Sequence, residues 1–144
     1  MARIKLTLPE RFPFTTTIPI RITDLNYGGH VGNDTVLALL HEARVQFLQS
    51  LGFGELNLAG VGVIMSDAVL EFKQEVFYGT ALKAYVAATD FTRVGFDLYY
   101  KLCIESSGAE TIVASGKTGM VCFDYVRRKV VAIPEEALSK LQSL

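Results

Sequence analysis

Residues 21–51, RITDLNYGGHVGNDTVLALLHEARVQFLQSL, are the stretch from which the fold of the whole chain can be predicted. In its second half apolar residues recur at steps of three and four, and Gly52 follows where helices commonly end, which predicts one long helix. Asn33 and Asp34 mark its start, because their side chains can accept hydrogen bonds from the free N–H groups of a first helical turn. We therefore expect a polar, glycine-containing loop that leads into a helix from Asn33 or Asp34 to Leu51.

The predicted helix is apolar on more than one face, which indicates that other elements pack against several of its sides. The segment before the loop, Thr15–Asp24, is rich in threonine and isoleucine. Its isoleucines Ile18, Ile20 and Ile22 occupy alternate positions, the pattern of a strand with one buried face. The predicted order is strand, polar loop and central helix.

The remainder of the chain has the pattern of strands joined by short turns. Four long strands are predicted: Val63–Gln74, Ala81–Val94, Phe96–Glu105 and Thr111–Asp124. Val130–Ile133 is a brief further strand, and a terminal helix opens at Pro134. Because parallel pairing needs a long crossover between successive strands, an antiparallel sheet and the α+β class are predicted. Gly116 and Gly119 indicate a bulge or a close backbone approach in the last long strand.

The composition limits the classes of protein to which the chain can belong. A length of 144 residues suits one domain with a proper core. Half of the residues are hydrophobic, one fifth are charged and the formal net charge is −1, which argues against disorder and against nucleic acid as a partner. No stretch approaches the roughly 20 apolar residues of a membrane span, so we expect a cytoplasmic protein without a membrane partner.

The cysteines and histidines are not spaced as metal ligands. Cys103 and Cys122 lie in apolar alternating segments, so buried thiols are favoured over a redox or metal role. His30 and His41 lack an H-x-x-x-H or H-E-x-x-H pattern. The sequence therefore predicts neither a metal nor a cofactor.

Asp24, Asn26 and His30 bring three polar side chains together within seven residues, next to the predicted helix N-terminus. Asp and Asn are ordinary turn formers, so a loop closed by its own hydrogen bonds accounts for them. The residues alone favour this structural interpretation, and a catalytic site is the alternative interpretation.

The same stretch carries two motifs, Arg21-x-x-Asp24-x-Asn26-x-x-Gly29-His30-Val31-x-Asn33 and Glu42-x-Arg44-x-x-Phe47-Leu48. Together they resemble the hotdog-fold acyl-CoA thioesterases of the 4-hydroxybenzoyl-CoA thioesterase type. The resemblance implies one hotdog thioesterase-like domain over residues 1–144, with an antiparallel sheet of about five strands wrapped around the central helix. It also implies a thioester of coenzyme A or of an acyl carrier protein as the substrate, and at least a homodimer, with a homotetramer as the larger alternative.

One departure from the family concerns the reaction itself. The family's catalytic carboxylate falls on Asn26, and a neutral amide is a poor nucleophile or base. The resemblance then assigns to Asn26 the positioning of water or of the carbonyl, and to His30 or Asp24 the role of base. The backbone N–H groups of Gly29, His30 and Val31 are expected to donate to the oxyanion. The missing carboxylate keeps a second function open, that of a non-catalytic acyl-CoA binding or regulatory hotdog protein.

Further residues are expected at the substrate. Tyr27 and Tyr78 are candidates for the wall of an acyl pocket, with positions in the core as the alternative. Arg93, Arg127 and Arg128 are candidates for contacts with the phosphates of coenzyme A, although a basic tip is as often only solvated.

Three charged residues stand in otherwise apolar segments. Glu42 and Arg44, on the predicted helix, are expected to form an ion pair or to contact a partner chain, because ionised residues on a buried helix are usually paired. Asp67, within a predicted strand, is expected to face solvent or an interface.

Overall fold

The structure is a computed structural model that describes all 144 residues. Its elements, in chain order, are β1 (Phe14–Pro19), α1 (Asn33–Ser50), β2 (Gly62–Phe72), β3 (Ala81–Thr89), β4 (Gly95–Ser106), β5 (Ala109–Asp124), β6 (Lys129–Val130) and α2 (Glu135–Gln142). A short 3₁₀ helix, Ile22–Asp24, lies between β1 and α1.

The five long strands form one sheet in the order β1-β3-β4-β5-β2, and β6 pairs with the end of β5. All pairs are antiparallel. Helix α1 packs against this sheet, with Leu40, Ala43 and Phe47 fully buried in a single hydrophobic core. The predicted α+β class and the antiparallel sheet around one long helix are therefore confirmed.

One side of α1 remains open. Asp34, Ala38, His41 and Glu42 are exposed along it, so this chain alone does not enclose the helix on every side as its apolar pattern had suggested. No helix is long and apolar enough to cross a membrane.

Helix α1 begins differently from the prediction. Gly32 is the residue that caps it, without any side-chain hydrogen bond, and Asn33 is already helical. The predicted capping by Asn33 and Asp34 is therefore wrong, because neither side chain bonds to the N–H groups of the first turn. The helix ends at Ser50, and Gly52 follows with a φ of +82°, a conformation that favours glycine at a helix end.

Strand β1 ends at Pro19, earlier than predicted. The carboxylate of Asp24 accepts a hydrogen bond from Arg21 N–H at 2.8 Å and so closes a 3₁₀ turn. Ile18 and Ile20 are buried as expected, but Ile22 is 66 % exposed because the turn rotates it away from the core. The alternation of isoleucines thus continued past the end of the strand.

The two glycines of β5 occupy the close approaches that the sequence indicated. A bulge interrupts β2 between Met65 and Asp67, and Gly119 lies opposite it, with its N–H donating to Asp67 Oδ1 at 3.0 Å. A methyl group at Gly119 would lie 2.5 Å from that oxygen, and one at Gly116 would lie 2.6 Å from Leu40 Cδ1 on α1. Larger residues would push apart the bulge in one case and the helix in the other.

Candidate active site

The loop between the 3₁₀ helix and α1 folds back on itself. Asn26 N–H donates to the His30 carbonyl at 2.9 Å, and Gly29 N–H donates to the Asn26 carbonyl at 3.1 Å. Gly29 has a φ of +80°, which glycine adopts at little cost. Val31 N–H donates to the Val76 carbonyl at 2.8 Å and ties the loop to the segment that follows β2.

Asn26 and His30 lie on either side of Gly28. Asn26 Oδ1 accepts the Gly28 N–H at 2.9 Å, which holds the amide in place. A methyl group built on Gly28 would lie 3.2 Å from Asn26 Oδ1 and 3.1 Å from His30 Nε2. An anchored amide and an imidazole are thus close enough to contact one small reactant.

The His30 ring is partly exposed, with 30 % of its side chain accessible. Its Nδ1 lies 3.3 Å from the Val31 carbonyl, and its Nε2 lies 3.7 Å from Glu75 Oε1. When Nδ1–H donates to the carbonyl, Nε2 carries the lone pair and can accept a proton.

Asp24 is engaged by Arg21. It is buried, and its two carboxylate oxygens contact the Arg21 N–H at 2.8 Å and Arg21 Nη2 at 3.3 Å. It borders a depression shared with Glu42, which is separate from the pocket next to His30. The structure therefore brings together Asn26 and His30 of the three predicted catalytic residues, and leaves Asp24 apart.

Free backbone donors lie at the entrance of α1. The N–H groups of His30, Asn33, Asp34 and Thr35 have no intramolecular acceptor. Gly29 and Val31 are different from what was expected, because their N–H groups are already bonded within the fold. The unbonded first turn of a helix, with its positive dipole end, is suited to a developing negative charge.

A pocket of about 270 Å³ opens beside His30, between the first half of α1 and the sheet. Val36 and Leu39 of the helix form one wall, and Leu82, Leu102 and Val113 of the sheet form the opposite wall. These five side chains are buried. The imidazole therefore stands at the mouth of an apolar pocket.

The mouth includes residues that the sequence had not indicated. Gln74, Glu75 and Val76 line it together with Asn33. The sequence showed only a turn near Val76, and the contact depends on a long-range pairing between His30 and Phe77. No spacing along the chain carries that information.

The basic residues lie far from this pocket within one chain. Arg93 precedes β4, and Arg127 and Arg128 form the tip after β5, so all three are at the same end of the sheet. Val113 lines the pocket, and Phe123 marks the tip end of the same strand, about 33 Å away at roughly 3.3 Å per residue. Arg127 also pairs with Asp124 at 2.8 Å, and hydrogen bonds from its N–H and side chain hold the pKa of Asp124 below its usual range.

The two tyrosines are on the surface. Tyr27 is fully exposed and Tyr78 is 63 % exposed, and neither lines the pocket. The pocket is lined instead by aliphatic residues of the core and by the partly exposed Phe72.

The charged residues of the helix and of β2 have structural partners. Arg44 is buried, and its Nε pairs with Glu55 Oε1 at 2.7 Å, so its partner is not Glu42. Glu42 is exposed and accepts a hydrogen bond from Gln46. Asp67 is exposed, and its hydrogen bond from Lys117 Nζ at 2.8 Å keeps the pKa of the carboxyl below its usual range.

The chain belongs to the thioesterase-like superfamily, whose pattern it matches over residues 20–141. This range includes the loop, α1 and every strand except β1. No curated protein matches the chain significantly.

Solved structures share the fold. A 1,4-dihydroxy-2-naphthoyl-CoA thioesterase from Synechocystis is 21 % identical with a TM-score of 0.81, over 91 % of this chain and 96 % of that one. A DHNA-CoA thioesterase from Staphylococcus aureus is 20 % identical with a TM-score of 0.78, over 90 % and 91 %. A gentisyl-coenzyme A thioesterase is 19 % identical with a TM-score of 0.76, over 89 % and 99 %.

Proposed function

We propose that this protein hydrolyses an acyl-CoA thioester to the free acid and the thiol. The observation that carries the proposal is the position of His30, which stands at the mouth of an apolar pocket, beside an anchored amide and the unbonded first turn of α1. The similar structures named as CoA thioesterases support the substrate class.

In the proposed reaction His30 is the base and water is the nucleophile. Nε2 takes a proton from water while the water oxygen attacks the thioester carbon, and Glu75 Oε1 lies 3.7 Å from Nε2. The C–S bond then breaks, and the proton passes to the thiol sulfur. Asp24 is the weaker candidate for the base, because both of its oxygens are engaged with Arg21.

The negative charge on the carbonyl oxygen needs fixed donors. Asn26 supplies its NH₂ group, since its Oδ1 is already occupied by Gly28 N–H. The free N–H groups of His30 and of the first turn of α1 are the other donors near the mouth. In this role Asn26 positions the carbonyl, and no carboxylate is required of it.

The carrier half of the substrate requires a second copy of the chain. Strand β2 is an edge strand of the sheet, because it pairs only with β5. Two copies that paired antiparallel along this edge would place the Gly62 end of one beside the Phe72 end of the other. The basic tip of one protomer, with Arg127 and Arg128, would then lie next to the pocket of its partner and meet the phosphates of coenzyme A there.

A test compares two histidines and one carboxylate. His30→Ala is expected to lower kcat by roughly 10²- to 10⁴-fold, the scale of a lost general base. His41→Ala is the matched control, because His41 is exposed on α1 and lies outside the pocket. Thiol release from a panel of acyl-CoAs, with circular dichroism as a check on folding, provides the measurement. A larger loss for Asp24→Asn than for His30→Ala would transfer the role of base to Asp24.

A second candidate function is acyl-CoA binding without turnover. It is favoured by one observation, the amide of Asn26 at the position where the family carries its carboxylate. Saturable binding of an acyl-CoA by calorimetry, with thiol release no faster than in buffer, would select this function over hydrolysis.

A further inference from the structure

The pocket beside His30 is polar only at its mouth. Asn33, Lys73, Gln74 and Glu75 are exposed there, together with the partly exposed His30. Farther inside, the walls consist of aliphatic side chains that are nearly inaccessible, with Leu82, Leu102 and Val113 each at 1 % exposure. A bound acyl group would therefore meet polar atoms only near its carbonyl carbon.

The protein interior contains no buried polar side-chain atom that lacks a hydrogen bond. Every buried side-chain nitrogen and oxygen already has a hydrogen-bond partner. The buried polar residues Arg44, Tyr100 and Thr118 bond to one another or to Glu55, and none of them lines the pocket. A hydroxyl group on the acyl chain would lose its water and gain no hydrogen bond in return.

The volume of the pocket limits the length of the acyl group. An apolar cavity of roughly 150 Å³ is known to hold benzene, so a pocket of about 270 Å³ has room for roughly eight to ten carbon atoms. The sheet wall owes part of this shape to a register shift between Leu102 and Cys103, which leaves Val113 without a partner on β4. As a result Val113 and its neighbour Ala114 both line the pocket.

We propose that the acyl group is an unsubstituted medium-length chain of roughly eight to ten carbons, and that the volume enclosed by lining residues such as Val113 and Ala114 sets its length. This inference rests on the proposed function for the place of the thioester at the mouth. Each additional methylene that enters the pocket is worth about 0.8 kcal/mol, or roughly a fourfold gain in kcat/KM. The gain should stop once the chain fills the pocket.

The experiment measures kcat/KM and Kd for saturated acyl-CoAs from butyryl to myristoyl, and for benzoyl-CoA against 4-hydroxybenzoyl-CoA. We expect a maximum near octanoyl or decanoyl, and a preference of roughly 10-fold or more for benzoyl over its hydroxylated analogue, within the ~10² limit of an apolar pocket. A maximum at butyryl, or faster hydrolysis of the hydroxylated analogue, would overturn the inference.

Two variants, at Ala114 and Val113, change the volume of the pocket and so test whether that volume limits the length of the acyl chain. Ala114→Phe should lower the octanoyl-to-butyryl ratio of kcat/KM by about 10-fold or more, because the ring would occupy the pocket. Val113→Ala should shift the maximum to a longer chain. Ala109→Phe is the matched control, since Ala109 is an exposed residue of the same strand outside the pocket. An unchanged ratio in both Ala114→Phe and Val113→Ala would contradict the assignment.

The two proposals fail in different ways. If no thioester is hydrolysed, the proposed function is wrong, but Kd still reports whether affinity rises with chain length up to octanoyl or decanoyl. If thioesters are hydrolysed without dependence on chain length, the proposed function stands and this inference is wrong.

Discussion

Asn26 is the residue at which this chain departs from its family, and its surroundings explain how an amide can serve there. Its Oδ1 is held by Gly28 N–H at 2.9 Å, next to the His30 ring, so the direction of the NH₂ group is fixed as well. A carboxylate in the same position would accept the same hydrogen bond but would have no hydrogen to donate. In the proposed reaction, an asparagine instead of a carboxylate at this position therefore provides a hydrogen-bond donor where the carboxylate could only accept.

Replacement of Asn26 tests this role in both directions. Asn26→Ala is expected to lower kcat by roughly 10²- to 10³-fold, the scale for one oriented donor in an active site. Asn26→Asp restores the family residue at nearly equal volume and is expected to retain or raise activity, since the carboxylate can then act as base or nucleophile. Both effects are read from initial rates of thiol release. If Asn26→Ala keeps kcat/KM within twofold of the parent with its fold intact, the reaction takes place elsewhere.

The sequence identified this neighbourhood but not its hydrogen bonds. The spacing of Asn26 and His30 placed them in one loop, and the loop does bring them together. Which backbone N–H groups remained free depended on the pairing of Val31 with Val76 and on the helix beginning at Asn33 after a Gly32 cap, and neither is encoded in local spacing. For the same reason Asp24 stood beside His30 as a candidate for the base, although its contact with Arg21 sets it apart.

At the scale of elements, α1 is fastened to the sheet by a partly buried polar network. Arg44 Nε pairs with Glu55 Oε1 at 2.7 Å, Arg44 Nη1 approaches Tyr100 Oη at 3.4 Å, and the Tyr100 and Thr118 hydroxyls are 2.8 Å apart. Burial raises the pKa of the Tyr100 phenol. The guanidinium is thus the link between the helix and strands β4 and β5.

Removal of the Glu55 carboxylate, which pairs with Arg44, should destabilise the protein. Glu55→Ala leaves the buried Arg44 charge without its carboxylate, and we expect a loss of about 1–3 kcal/mol, below the range for fully buried pairs because Glu55 is 26 % exposed. The double variant Arg44→Met with Glu55→Ala should lose less than the sum of the single variants. Urea unfolding at one fixed protein concentration measures both. Strict additivity of the two single variants would mean that the residues do not interact.

The elements themselves were more predictable than their ends. Strands β3 and β4 followed from alternation, because each has one face on the core and the period of two does not depend on the topology. Strand β3 stopped at Thr89, five residues before the predicted Val94, because Asp90 takes a positive φ of 53° and turns the chain. Such a turn at a residue other than glycine leaves little trace in the sequence.

At the scale of the whole molecule, the position of the basic tip makes assembly a testable part of the function. We expect at least a homodimer, so that light scattering should give twice the 15.8 kDa of one chain or more at micromolar concentration. A mass of one chain together with full activity would contradict the composite site.

Mixed dimers can distinguish whether the basic tip contributes to the pocket of its own chain or to the pocket of the partner. A chain with His30→Ala keeps its tip, and a chain with Arg127→Glu and Arg128→Glu keeps its pocket. Unfolded and refolded together in equal amounts, they should recover roughly a quarter of the wild-type activity, because half of the dimers are mixed and each has one intact site. Each variant alone should stay near its own low rate. No recovery in the mixture, although mixed dimers form, would show that the tip does not act across the interface.

The free edge of β2 also affects how a newly synthesised chain can interact with other chains before it assembles. Apart from Val63, whose N–H donates to the Glu55 carbonyl, Gly62–Phe72 has no backbone partner on that side, so its free groups can bond to any extended segment that diffuses past, including another unfolded copy. The bulge beside Met65 and the exposed charge of Asp67 break this edge near its middle, so an arbitrary strand cannot pair along its full length. The same irregularity that gives Gly119 its place opposite Asp67 thus makes this edge a poorer partner for an unrelated strand.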